Sequence, residues 1–193
     1  MKKILTLFFV LILSISSVFA LSKPRWDKRP IKVYIPGNSY NSQIMKNAFM
    51  QWQTRTNSAV WFTFLGDNKR NEADITVYFV ETDTKCGNSS AIGCTHSRTD
   101  GQGFYTHNDM YIASKAVYRL VGDDGTVAVK TELISAPQLY RVMLHEIGHA
   151  IGINQHSNKP NSIMYKYSLN DVNIPQKLTD EDLKFVYNVY RLY

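Results

Sequence analysis

Residues 139 to 164 read LYRVMLHEIGHAIGINQHSNKPNSIM, and the reading of this run decides the rest of the chain. His145, Glu146 and His149 form H-E-x-x-H inside an apolar pattern of helical period. A helix turns about 100° per residue, so His145 and His149 lie roughly 40° apart on one face and can present two imidazoles to one metal ion. Glu146, one position round, can reach a water on that ion without displacing it. Zinc suits such a set, because three protein ligands leave a fourth position where bound water loses its proton near neutral pH. Gly152 stands where the helix should end and a positive φ is needed, so the chain can reverse there and bring His156 back to the same ion. Met164 follows eight residues after His156, in a turn-rich N-K-P-N-S-I-M segment.

These residues resemble the metzincin zinc proteases and, within them, the matrixin (matrix-metalloproteinase-like) family, whose pattern is H-E-x-x-H-x-x-G-x-x-H followed by a Met-turn. The resemblance implies that His145, His149 and a third His bind Zn2+, that Glu146 is the general base, and that Met164 underlies the metal. The third His is out of register: the last position of the pattern holds Gln155, and His156 comes one residue late. A neutral amide competes poorly with imidazole for zinc. One more residue in a non-helical reversal adds at most ~3.5 Å of path. His156 is therefore the expected third ligand, ahead of Gln155 or Glu181, with Asn154 expected to form the bulge through a positive φ. The eight-residue step to Met164 equals the family spacing, which places the insertion before the His.

The likeness extends beyond the motif. R-W at 25–26, A-F-x-x-W at 48–52 and A-D-I-x-x-x-F-V at 73–80 have close counterparts in matrixin catalytic domains. It implies an α+β, metzincin-like zincin fold: a twisted mixed β-sheet with an active-site helix, a backing helix and a C-terminal helix. It also implies a secreted zinc endopeptidase, in which Glu146 takes a proton from zinc-bound water as it attacks the peptide carbonyl.

The first twenty residues, MKKILTLFFVLILSISSVFA, read as a signal peptide. Lys2 and Lys3 precede an apolar core, and Val18 and Ala20 fit a V-x-A cleavage site. The apolar run is shorter than the ~20 residues of a membrane span. Cleavage leaves residues 21–193 as one catalytic domain, exported to a periplasm or the extracellular medium, monomeric and without stable membrane association. Losing the two lysines lowers the formal charge from +6 to about +4. Acids and bases are interspersed, so there is no footprint for nucleic acid. The partner is a protein or peptide substrate. Cys86 and Cys94 are the only cysteines, and in an exported chain they should pair and pin a loop.

Along the chain, I-K-V-Y-I at 31–35 reads as a strand and Ser42 to about Arg55 as an amphipathic helix. V-W-F-T-F-L at 60–65 and D-I-T-V-Y-F-V at 74–80 read as further strands, the first two parallel across the helix. Residues 86–108 read as loop. Animal matrixins hold a structural zinc and calcium ions there. No ligand set for structural Ca2+ or a second Zn2+ matches residue by residue, so His96 and His107 are read as surface loop residues. Residues 109–113 read as an edge or near-edge strand, which in the family pairs with extended substrate. Residues 117–132 form a hairpin around Asp124-Gly125. Ser135 and Pro137 open the active-site helix, and Thr179 with Asp182 caps a last helix carrying Leu183, Val186 and Tyr190.

Two rivals stand beside this reading. A thermolysin-like enzyme would draw its third ligand from a downstream carboxylate, with Glu181 the candidate. A catalytically weak zinc-containing binding or adhesion protein on a protease scaffold would have no use for Glu146.

Overall fold

The computed structural model describes residues 24–87, 91–166 and 176–190. The expected signal peptide, residues 1–20, lies outside them, as does nearly all of the irregular run expected at 169–176. Strand β1 (Ile31–Tyr34) leads to helix α1 (Tyr40–Arg55) and strand β2 (Phe62–Leu65). A 3-10 helix at Asp67–Glu72 precedes β3 (Ile75–Val80), β4 (Gly93–Thr99) and β5 (Tyr105–Ala113). A hairpin of β6 (Lys115–Val121) and β7 (Val127–Leu133) precedes helices α2 (Ala136–Ala150) and α3 (Asp180–Tyr190). The main sheet runs β2-β1-β3-β5-β4. Its first four strands are parallel, β1 and β2 being joined across helix α1, and β4 alone is antiparallel. The architecture is α+β, a mixed sheet with three α-helices among the described residues, as the resemblance implied.

Helix α1 begins at a Ser39 cap, whose Oγ accepts from the Ser42 amide at 3.3 Å. Met45, Phe49 and Trp52, spaced three to four apart, are fully buried and meet Met143, Leu144 and Ile147 of α2 in one core. The Trp52 indole donates to the Leu144 carbonyl at 2.9 Å, so the backing helix fixes the active-site helix by a hydrogen bond as well as by area. Helix α2 starts with a capping box between Ser135 and Gln138, with Pro137 in its first turn. At its other end the Ala150 carbonyl accepts from Trp26 Nε1 at 2.9 Å and Asn108 Nδ2 at 2.8 Å. The chain then turns at Gly152, φ +111°, where a Cβ would stand 2.6 Å from the Pro24 carbonyl oxygen.

The structure corrects one expectation about the middle of the chain. Residues 86–108 are not all loop: β4 spans Gly93–Thr99 and β5 already begins at Tyr105, so His96 and His107 are strand residues. The segment G-C-T-H-S-R-T shows no apolar alternation because half of it faces solvent, and its ladder with β5 supplies the order that propensity lacks. The edge of the sheet is accordingly β4, and β5 lies one strand in. The hairpin around Gly125 pairs Lys115 to Val121 with Leu133 to Val127 and forms a two-stranded sheet of its own rather than extending the main one. The Cys86–Cys94 disulfide ties the loop before β4 to β4 itself.

Candidate metal centre

Helix α2 carries His145 and His149 one turn apart, and the reversal after Gly152 brings back His156. Their ligand nitrogens lie within 4.8 Å of one another. The ring centroids are 4.7 Å apart for His145–His149 and 5.1 Å for each of the two pairs with His156. His145 Nδ1 donates to the Ile163 carbonyl at 2.8 Å and His149 Nδ1 to the Ile153 carbonyl at 2.7 Å. A carbonyl can only accept, so each ring carries its proton on Nδ1 and turns an Nε2 lone pair inward. Those two Nε2 atoms stand 3.0 Å apart. With no proton between them, the contact is repulsive until a cation accepts both lone pairs, and tetrahedral zinc would hold two imidazole nitrogens ~3.3 Å apart. The residues present fit the metal.

Burial pushes the His145 pKa well below the ordinary imidazole value, and the neighbouring His149 adds to the effect. Burial lowers His149 too, and His156 is lowered by burial and then by Lys166. All three are held neutral, the form that binds metal. Asn154, Gln155 and His156 are all exposed, and it is the His156 ring that stands against the other two imidazoles. The expected bulge at Asn154 is not made through a positive φ: in this stretch only Gly152 has one. Asn154 instead accepts from the Tyr105 hydroxyl at 3.1 Å. Glu181 is also elsewhere, paired with Lys159 at 2.5 Å and accepting from Ser157 Oγ at 3.0 Å. The thermolysin-like rival loses its ligand.

Glu146 is 6 % exposed. Thr95 of β4 places its Oγ1 2.9 Å from Glu146 Oε2 and 3.2 Å from the Glu146 carbonyl. Burial raises the carboxyl to about 7, against the opposing pull of the Thr95 hydrogen bond and the Arg141 charge. A cation in the triad would draw it down again.

Beneath the triad, Met164 is fully buried with its sulfur against Gly148. A Cβ on Gly148 would stand 2.3 Å from Met164 Sδ and 3.3 Å from Trp52 Cζ2. Gly148→Ala is expected to destabilise the fold by about 1–3 kcal/mol, read as a lower urea midpoint at unchanged m-value.

Two supports for the Met-turn are invisible as chemistry in the sequence. Arg141, one turn before His145, donates from Nη2 to the carbonyls of Ser162 at 3.3 Å and Tyr165 at 3.0 Å. Asp182 does more than cap α3: its fully buried carboxylate accepts from Ser162 Oγ at 2.5 Å, Ile163 N at 3.2 Å and Met164 N at 3.4 Å, as well as from Thr179. Ile163 in turn offers its carbonyl to His145, so a continuous path runs from α3 to the ligand ring. A usable signal existed, since Asp182 shares the buried stripe of Val186 and Val189. Asp182→Ala is expected to cost about 3 kcal/mol, because it leaves buried N–H groups unpaired. Asp182→Asn should cost less, as an amide oxygen still accepts; equal losses in chemical denaturation would contradict the hydrogen-bond account.

A family model described as Matrixin matches residues 35–191. The chain belongs to the matrixin family. Matrixins are zinc metalloproteases, which accords with the His145, His149 and His156 triad. No curated protein matches the chain. Among solved structures, that of myroilysin is similar at a TM-score of 0.47 and 16 % identity, covering 84 % of this chain and 93 % of that one. Matrixins are generally extracellular, and the disulfide of this matrixin is consistent with that. Among its described residues no helix is long and apolar enough to cross a membrane.

Proposed function

We propose that the chain is an exported zinc endopeptidase in which His145, His149 and His156 hold the metal and Glu146 is the general base. The single observation that carries this reading is three imidazoles converging on one point with a buried carboxylate on the residue after the first of them, in the same helix. Zinc bound there supplies a Lewis acid that makes water acidic near neutral pH and stabilises charge developing on the scissile carbonyl oxygen. Glu146 takes the proton of the attacking water and returns it to the leaving amine. Thr95 holds the carboxylate in place for both transfers. Ile163 and Ile153 hold the rings of His145 and His149 by their carbonyls, which keeps both lone pairs aimed inward.

The substrate is a protein or peptide. Strand β4 pairs with β5 on one side and lies beside α2 through Thr95, so its outer edge is the surface along which an extended chain can add as a further strand. That role passes to residues 93–99 from the 109–113 strand to which the sequence pointed. Lys2-Lys3, the apolar run and Ala20 support cleavage of residues 1–20 and export of residues 21–193 as one catalytic domain.

Metal analysis of residues 21–193, with casein or gelatin digestion before and after chelation, tests the proposal. The expected result is about one zinc per chain and hydrolysis that chelator removes and zinc restores. A zinc-loaded chain that cuts neither protein nor a library of peptides would overturn it in favour of a binding protein on the same scaffold.

A further inference from the structure

We propose that Cys86, Cys94 and His96 form a second metal site, for a thiophilic ion of the zinc class, when the disulfide between the two cysteines is reduced. The inference does not depend on the catalytic reading. Cys94 and His96 are two residues apart on β4, so their side chains share one face of the sheet. Thr95, between them, points the other way, to Glu146, which puts the cysteine–histidine cluster on the face opposite the triad. The two sulfurs and His96 Nε2 lie within 4.8 Å of one another.

One separation already suits a tetrahedral ion, while the two sulfurs, bonded in the disulfide, move apart on reduction. With Zn–S at about 2.3 Å and Zn–N at about 2.0–2.1 Å, neighbouring sulfur and nitrogen ligands stand about 3.6 Å apart. Cys94 Sγ and His96 Nε2 are 3.6 Å apart. Thr84, which is buried, sets its hydroxyl 2.8 Å from Cys86 Sγ, where it can donate to a thiolate and fix it from outside the ligand set. The His96 ring stands edge-on to Tyr111 at 5.8 Å. Its Nε2 is 3.0 Å from the Lys85 carbonyl; on binding, the ring proton moves to Nδ1 and Nε2 turns to the ion. His96 is exposed, so the ion and a solvent ligand reach the site from outside.

The chemistry balances with a phosphine or a thiol as the reductant. A phosphine gives two electrons to the S–S bond and leaves as its oxide with an oxygen from water, while each sulfur takes a proton. Ion binding then releases both protons as the thiolates form. The ion joins the same two points as the disulfide, so the loop stays attached to the edge strand in reducing surroundings.

The test uses the zinc-loaded wild-type enzyme, before and after phosphine reduction, with Co2+ as the probe. After reduction an intense near-ultraviolet thiolate-to-Co2+ absorption is expected, which a triad of imidazoles cannot give, and total metal rises from about one to about two ions per chain. Cys94→Ser should lack the band, and His96→Ala should weaken the new site at least about tenfold. Absence of the band in the reduced wild type, or an unchanged Co2+ affinity in His96→Ala, would overturn the proposal. The first ion, measured separately in the oxidised enzyme, keeps that outcome distinct from a failure of the catalytic site.

Discussion

Glu146→Gln is expected to lower kcat/KM on a fluorogenic peptide by about 10³-fold or more while zinc content stays near one ion per chain. The substitution keeps size and leaves an amide oxygen to accept from Thr95, so the packing that buries the side chain survives. What it removes is the capacity to carry a proton between water and leaving amine, a function typically worth 10²–10⁴ in rate. Unchanged zinc content separates this from ligand loss, since Glu146 does not belong to the cluster of ligand atoms. Turnover above roughly a tenth of wild type, with full zinc, would leave Glu146 no part in the proton transfer.

His156→Ala is expected to weaken zinc by more than about 100-fold and to abolish activity at limiting metal, whereas Gln155→Ala should change neither by more than about twofold. Loss of an outer hydrogen-bond partner already costs roughly 10–100-fold in affinity, so loss of a ligand should exceed that. The contrast tests the late third His, a departure of this chain from its family pattern. The His156 ring stacks at 5.1 Å on His145 and stands across from His149 at the same separation. A chelator-competition titration reads both variants; the reverse ranking would return the third position to Gln155.

Much of the site was legible because helical periodicity is local. The i, i+4 spacing of His145 and His149, the cap at Ser135, the positive φ at Gly152 and the partnership of Thr179 with Asp182 each depend on residues a few positions apart. The parallel pairing of β1 with β2 was legible for a related reason, since an intervening amphipathic helix leaves few other connections. His156 could be assigned from ligand chemistry and chain reach, but the conformation of its loop could not. Asn154 is at ease in left-handed backbone in general, yet here a bond from Tyr105 on a distant strand engages its side chain.

What tertiary structure alone decided lies where partners are far apart in the chain. Strand β4 carries no apolar alternation because it is an edge, held by its ladder to β5; no local preference marks it. The Thr95 contact with Glu146 spans 51 residues, and the Arg141 contacts with Ser162 and Tyr165 span 21 and 24. The sequence by itself pointed to the fold class through its resemblance to the matrixins, and to the three histidines that the structure brings together through spacing within one helix and the turn after it. Which groups hold those residues still, and which strand forms the edge of the sheet beside α2, became visible only once the sheet, α2 and α3 were packed, because a hydroxyl, guanidinium or carboxylate takes its role from the atoms across from it.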